Sequence, residues 1–211
     1  QSRLGLRSEA IEYMAVAFTQ VGGADAANRY FASHGGAPYK LALMRRVATS
    51  LRDQGNFPEA IRAYQIVISE APTDSSVLTA SFEIADIYQN RLLALDSAQT
   101  ARLALAQRLA PGTPWAKANP QLADSAAKLR EAALRQSGQY VLAAAQSGQR
   151  TRYAEAAQIY SKYLQDFPTA DSAQIVNRYY AEALLGSGDF TRSGAEFAKT
   201  AYGYNDKSSA L

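Results

Sequence analysis

Two stretches of this chain read almost alike. QGNFPEAIRAYQIVISEAPTD runs from Gln54 to Asp74, and RTRYAEAAQIYSKYLQDFPTAD runs from Arg150 to Asp171. Phe57 corresponds to Tyr153, Glu59 to Glu155, Ala60 to Ala156, Tyr64 to Tyr160 and Pro72 to Pro168, each pair 96 residues apart with no gap. Aromatic, small and proline positions that return at a constant offset mean one supersecondary unit used more than once.

The unit is helical. In PEAIRAYQIVIS, Pro58 suits the first helical position, where its missing N–H costs little. Ala60, Ile61, Tyr64, Val67 and Ile68 then recur at three- and four-residue spacing and form one apolar stripe. Pro72 ends the run, because the residue before a proline avoids the helical region. Upstream, KLALMRRVATSLRDQG places Leu43, Met44, Val47, Ala48 and Leu51 on one face, and Gly55 closes that helix as its C′ residue. From Leu41 to Asp74 the order is helix, glycine turn, helix, proline turn, a period of about 34 residues that belongs to helical-repeat solenoids.

Further copies flank this one. RSEAIEYMAVAFTQVGGADAANRYF carries Ala15, Gly22, Ala27 and Phe31, each 33 residues before Ala48, Gly55, Ala60 and Tyr64. SFEIADIYQNRLLALDSAQTARLALAQRLAP keeps Ala85 and Tyr88 but loses the aromatic of its second helix. NRYYAEALLGSGDFTRSGAEFAKTAY supplies Gly188, Phe190, small Ser193 and Phe197. The organisation expected is three helix pairs over residues 1–110, a proline-rich break holding Trp115 at 111–120, and a long helical segment with two more pairs over 121–211. QSGQ occurs at 136–139 and again at 146–149, which leaves a bend at Gly138 open.

These positions resemble the tetratricopeptide repeat family. Its pattern of small and large residues reads here as Ala48, Gly55, Phe57, Ala60, Tyr64 and Pro72. It returns as Tyr153, Ala156, Tyr160 and Pro168, with Thr151 at the turn glycine, and as Ala181, Gly188, Phe190, Ser193 and Phe197. The resemblance implies an all-α solenoid, about ten helices in antiparallel pairs wound into a right-handed superhelix. YLQDFPTADSAQIVNRYYAEALLGSGDF looks like the style found in bacterial cell-envelope proteins, including outer-membrane assembly lipoproteins and proteins of the Tol–Pal system. That style implies a periplasmic or envelope location, with the cytoplasm as the alternative. Tyr64, Phe31, Tyr160 and Phe197 are read as inter-helix packing, and Ala60 and Ala156 as small because a neighbouring backbone passes close by.

The inventory of reactive side chains is short. With no cysteine and one histidine, His34, the chain lacks the parts for a thiolate or two-histidine metal site, a disulfide or a Cys–His pair. His34 stands where a helix ends and is expected to bond helix carbonyls. There is no GxxxxGK[ST] loop, and GSGDF at Gly186–Phe190 falls in register on an inter-helix turn. Glu9 and Glu12 share a helix face and read as solvated carboxylates. No enzyme activity, cofactor or metal is expected. A formal charge of +3 is a mild surplus whose densest cluster is Arg45, Arg46 and Arg52, read as a helix face and not as a nucleic-acid surface. No apolar run reaches the length of a membrane span.

Function in such a solenoid lies on the face lined by the first helix of each pair. The resemblance places the groove positions at Arg45, Thr49 and Arg52, at Phe82, Asp86 and Gln89, and at Arg178, Glu182 and Leu185. The mixed basic, acidic and apolar lining suits a peptide or protein partner. The Lys and Asn of the family's carboxylate clamp are replaced by arginine and threonine, but Arg45 and Arg52 together could fork onto a carboxylate. Two readings stand: a scaffold or adaptor for a protein segment within an envelope assembly, and a structural spacer or helical-ring part of a larger enzyme, such as one that cleaves peptidoglycan. Gln1 in place of an initiator methionine, and a helix start at Asn205 or Asp206, suggest part of a longer protein. Ile11, Met14 and Phe18 are expected on an open apolar end, which implies self-association or membership of a larger complex.

Overall fold

The computed structural model describes residues 3–34 and 37–204; the helix start expected at Asn205 or Asp206 lies outside them. The described residues contain helices and turns and no strand. The chain forms two compact units, Gln1–Ala126 and Ala127–Leu211.

The first unit contains α1 (Arg3–Gln20), α2 (Gly23–Ser33), α3 (Lys40–Asp53), α4 (Phe57–Glu70), α5 (Ser76–Asp86), α6 (Leu95–Arg108) and the short α7 (Pro114–Ala118). Sequence neighbours joined by brief turns pack against each other: α1 on α2, α3 on α4, α5 on α6. Successive pairs stack as well, α1 on α3 and α2 on α4. The stripes anticipated on α3 and α4 are the core: Leu43, Met44, Val47, Ala48 and Leu51 face Ala60, Ile61, Tyr64 and Val67, all buried. Ion pairs join α1 to α3, α2 to α4 and α3 to α5, with Glu12–Arg46 at 2.5 Å, Asp25–Arg62 at 2.7 Å and Arg52–Glu83 at 2.5 Å. Glu12–Arg46 and Asp25–Arg62 are solvent-exposed and add little stability, whereas Glu83 is partly buried.

The α3–α4 turn shows why glycine stands there. Gly55 has φ +77°, and the Asn56 and Gly55 amides donate to the Leu51 and Arg52 carbonyls at 2.9 and 3.0 Å, the paired bonds of a Schellman turn. In the fourth copy the residue with this role is Gly148 (φ +122°), not Thr151. Gln149 and Gly148 donate to Ala144 and Ala145, so the turn closes earlier and two extra residues precede the next helix.

The third copy departs from the pattern. After α5 the chain makes a π turn over Ile87–Arg91, and Leu93 adopts φ +51° with its side chain 73% exposed. The wider turn advances the register, so α6 begins 38 residues after α4 instead of the 37 that separate Ala85 from Ala48. Buried Ala98 and Leu105 then repeat Ala60 and Val67, and Arg102 takes the place of Tyr64.

The segment 111–120 is a built part of the first unit. Thr113 caps α7 by accepting from the Ala116 amide at 3.2 Å. The buried Trp115 indole donates to the Asp74 carbonyl at 2.8 Å, and the buried Asn119 amide to Thr73 at 2.8 Å. Both bonds reach the proline turn after α4, so the division between units falls later, at the start of α8 (Ala123–Gln146).

The second unit comprises most of α8 with α9 (Arg152–Asp166), α10 (Ala173–Ser187) and α11 (Phe190–Tyr202). α8 runs unbroken through Gly138, which is needed for proximity and not for bending. A methyl group there would fall within 2.8 Å of Tyr160 Cδ1 and Cζ. Gly186 does the same for Tyr153, with Cε1 at 2.5 Å from an added Cβ. Arg130, 4% exposed, pairs with Asp166, which also holds Lys162 at 2.7 Å, and its guanidinium lies 5.3 Å from the Phe167 ring centre. Ser193 is buried where α10 and α11 cross, and its hydroxyl donates to the Ala181 carbonyl at 2.9 Å.

Phe31, Tyr64 and Tyr160 are packed between helices as expected, but Phe197 is 36% exposed, since Ser193 is the only buried residue described on α11. Ile11, Met14 and Phe18, expected on an open face, pack partly buried against the core; among the described residues of that helix, Leu6, Tyr13 and Val16 are the exposed large apolar side chains.

Candidate functional site

The first helices α1, α3 and α5 border an open groove of about 760 Å³ in the first unit. Arg45, Thr49 and Arg52 recur on α3 at helical spacing and so share one exposed face. Glu12 enters from α1, Glu83 from α5, and Tyr64 forms part of the floor. Burial pushes the Tyr64 phenol above its ordinary range, opposed by its hydrogen bond with Thr49. The lining holds hydroxyls and carboxylates but no histidine, and among the described residues no cluster of His, Cys, Asp or Glu is placed to hold a metal.

The groove's charges are unequal in availability. Arg52 Nη1 donates to Glu83 at 2.5 Å and Nη2 to Asp53 at 2.9 Å, and the Glu83 bond raises the arginine pKa further. Arg46 is held by Glu12. Arg45 is exposed and forms no ion pair among the described residues, although its charge helps to keep Asp74 ionised. The carboxylate fork expected of Arg45 and Arg52 together is therefore divided: Arg52 is already occupied and Arg45 is available. Sequence reasoning missed Glu83 because it lies on the next first helix, 31 residues from Arg52.

The second group of expected residues is split. Phe82 and Asp86 border an adjoining recess of about 510 Å³ together with Arg52 and Arg91. Gln89 lies in the π turn and accepts from Arg102 at 2.8 Å. Arg102 is thus a half-buried guanidinium where the other copies carry an aromatic ring, and burial lowers its pKa. Nothing in the aromatic pattern announced it; the signal was the extra residue between α5 and α6. In the second unit, Arg178 is 3.4 Å from Glu182 and lies over the Tyr179 ring, while Leu185 is half exposed on the same helix.

His34 behaves as a helix-terminal residue. Its Nδ1–H donates to the Tyr30 carbonyl at 2.8 Å, since a carbonyl can only accept, and its ring stacks on Tyr30 at 4.4 Å. No helix of the described residues is long and apolar enough to cross a membrane.

No protein-family model and no curated protein matches the sequence. Among solved structures, the chain is similar to a tetratricopeptide repeat protein from Parabacteroides merdae, with 16% identity and a TM-score of 0.36 over 92% of this chain and 78% of that one. It is also similar to MamA protein, with 16% identity and a TM-score of 0.30 over 78% of this chain and 91% of that one. Overlap of that degree identifies no function, and the residues themselves must supply one.

Proposed function

We propose that this chain is a non-catalytic interaction scaffold that holds an acidic protein segment in the groove between α1, α3 and α5. The observation that carries the reading is Arg45, an exposed cation in a groove whose other two arginines are neutralised by Glu12, Glu83 and Asp53. Thr49, one turn along the same helix from Arg45, adds a hydroxyl beside it. A single available cation steers and selects more than it adds to affinity.

The test is an array of acidic and charge-neutral peptides probed with the parent and with Arg45→Ala. The parent should enrich acidic sequences, and the variant should lose that preference while melting like the parent. Identical selection by both proteins would remove this groove from the function. The bacterial envelope assembly suggested by YLQDFPTADSAQIVNRYYAEALLGSGDF is part of the same proposal. Fractionation of cells expressing the full-length protein checks it, and recovery wholly in the cytosol would refute it.

A further inference from the structure

A second cavity, of about 520 Å³, opens between α4 and α6 over α5, separate from the Arg45 groove. Ile68 comes from α4, Ile84 from α5, Tyr88 from the π turn that follows it, and Ala101, Ala104 and Arg108 from α6. Small residues on the α6 wall leave the space unfilled. Its size falls within the range of about 300–1,000 Å³ typical of ligand pockets, and polar Ser81, Ser97, Thr100 and Arg108 line it beside the apolar residues.

One of those polar groups lacks its natural counterpart. Arg108 is half-buried, and Nη1 donates to the Ser81 hydroxyl at 3.1 Å. No carboxylate of the described residues comes within ion-pair distance of it. Burial lowers its pKa, as expected for a cation short of both water and a counterion. Asp96, also on the lining, stands twelve residues earlier on α6, about 18 Å away along the axis at 1.5 Å per residue. It marks the far end of the cavity and does not neutralise Arg108.

We propose that this cavity docks a segment of a partner protein presenting a bulky apolar side chain with a carboxylate beside it. The apolar group fills the space over Ile84 and Ala101, and the carboxylate pairs with Arg108. A neutral polar occupant would leave the guanidinium uncompensated, and a cationic one would repel it. An apolar occupant without the acid would seal Arg108 further from water at greater cost. The combination of shape and charge selects the pair of groups together.

N-acetyl-phenylalanine carries both groups, and N-acetyl-phenylalanine amide lacks the charge. Each is titrated into isotope-labelled protein and followed by backbone amide chemical shifts. The acid should bind saturably, about ten-fold tighter than the amide, the worth of one hydrogen bond to a charged group. Shifts should centre on α4, α5 and α6. Arg108→Gln should bring the two affinities together, and Arg108→Lys should restore part of the difference. Ala101→Phe should fill the cavity and remove both; if that variant does not fold, the Arg108 pair alone decides. Arg45→Ala should change none of this, which keeps the test independent of the groove on α1, α3 and α5. Equal affinity for acid and amide, shifts elsewhere or no binding would overturn the proposal. So would a concentration-dependent dimer dispersed by Arg108→Gln, which would give the cavity to a second copy of the chain.

Discussion

Gly138 and Gly194 both lie inside helices, and helix propensity alone treats them identically. Replacing either with alanine should gain about 1 kcal/mol. The structure separates them. Gly194, on exposed α11, has nothing within 4 Å of an added Cβ, so Gly194→Ala should realise the gain. An added Cβ at Gly138 would meet three carbons of the buried Tyr160 ring, two of them at 2.8 Å. Overpacking of this kind costs about 1–3 kcal/mol, and the upper end applies because a ring wedged between helices cannot swing aside. The net loss for Gly138→Ala is then about 2 kcal/mol. For a chain of this length, thermal unfolding followed by circular dichroism should show Gly138→Ala melting about 4–8 °C below the parent and Gly194→Ala about 2–4 °C above it. Replacing Tyr160 with leucine in the Gly138→Ala background should recover part of the loss. A Gly138→Ala protein that melts at or above the parent would refute the close approach of α8 and α9.

Further tests follow from the same packing. Tyr64→Ala should cost about 3–5 kcal/mol, the range for large aromatic deletions in a core, read as a fall in denaturation midpoint. Tyr160→Phe should be neutral or stabilising by up to about 1 kcal/mol, because the buried hydroxyl has no hydrogen-bond partner among the described residues. Leu93→Asn should raise the melting temperature slightly, since asparagine tolerates the left-handed backbone at φ +51° better than leucine does. The Asp74 carboxylate is held below its usual range first by the Ser76 hydroxyl, then by the Ser76 amide and by Arg45. Its contribution to stability is therefore present above the unfolded pKa of about 3.9 and is lost as pH falls through the lower folded value. Asp74→Asn should flatten the decline in melting temperature below about pH 4, and an unchanged acid limb would count against the assignment.

What could be read from the sequence was whatever repeats locally. The Ala60–Tyr64 stripe, the Gly55 turn and the stop at Pro72 each depend on neighbours within a few residues, and the structure has them where the pattern places them. The opacity began where a partner lies one helix pair away. Arg52 and Arg45 look equivalent along α3, and only the arrival of Glu83 from α5 distinguishes them. Trp115 looked like a break because its acceptor, the Asp74 carbonyl, is 41 residues distant. The π turn shifted α6 by one residue, enough to put an arginine where an aromatic was missed. Gly138 suggested flexibility because a sequence does not show which ring its empty side must admit.

The two glycine contacts of the second unit meet on one helix. Tyr160 of α9 presses on Gly138 of α8, and Tyr153, two turns earlier on α9, presses on Gly186 of α10. Neither glycine can drift to a larger residue while its ring remains, and losing a ring first opens a void that the opposing glycine cannot fill. Descendants of this chain can therefore change these positions only by paired steps through a less stable intermediate. Homologues should show them inherited as two linked couples, with α9 changing more slowly than its repeat counterpart α4, whose turn glycine, Gly55, meets no ring at all.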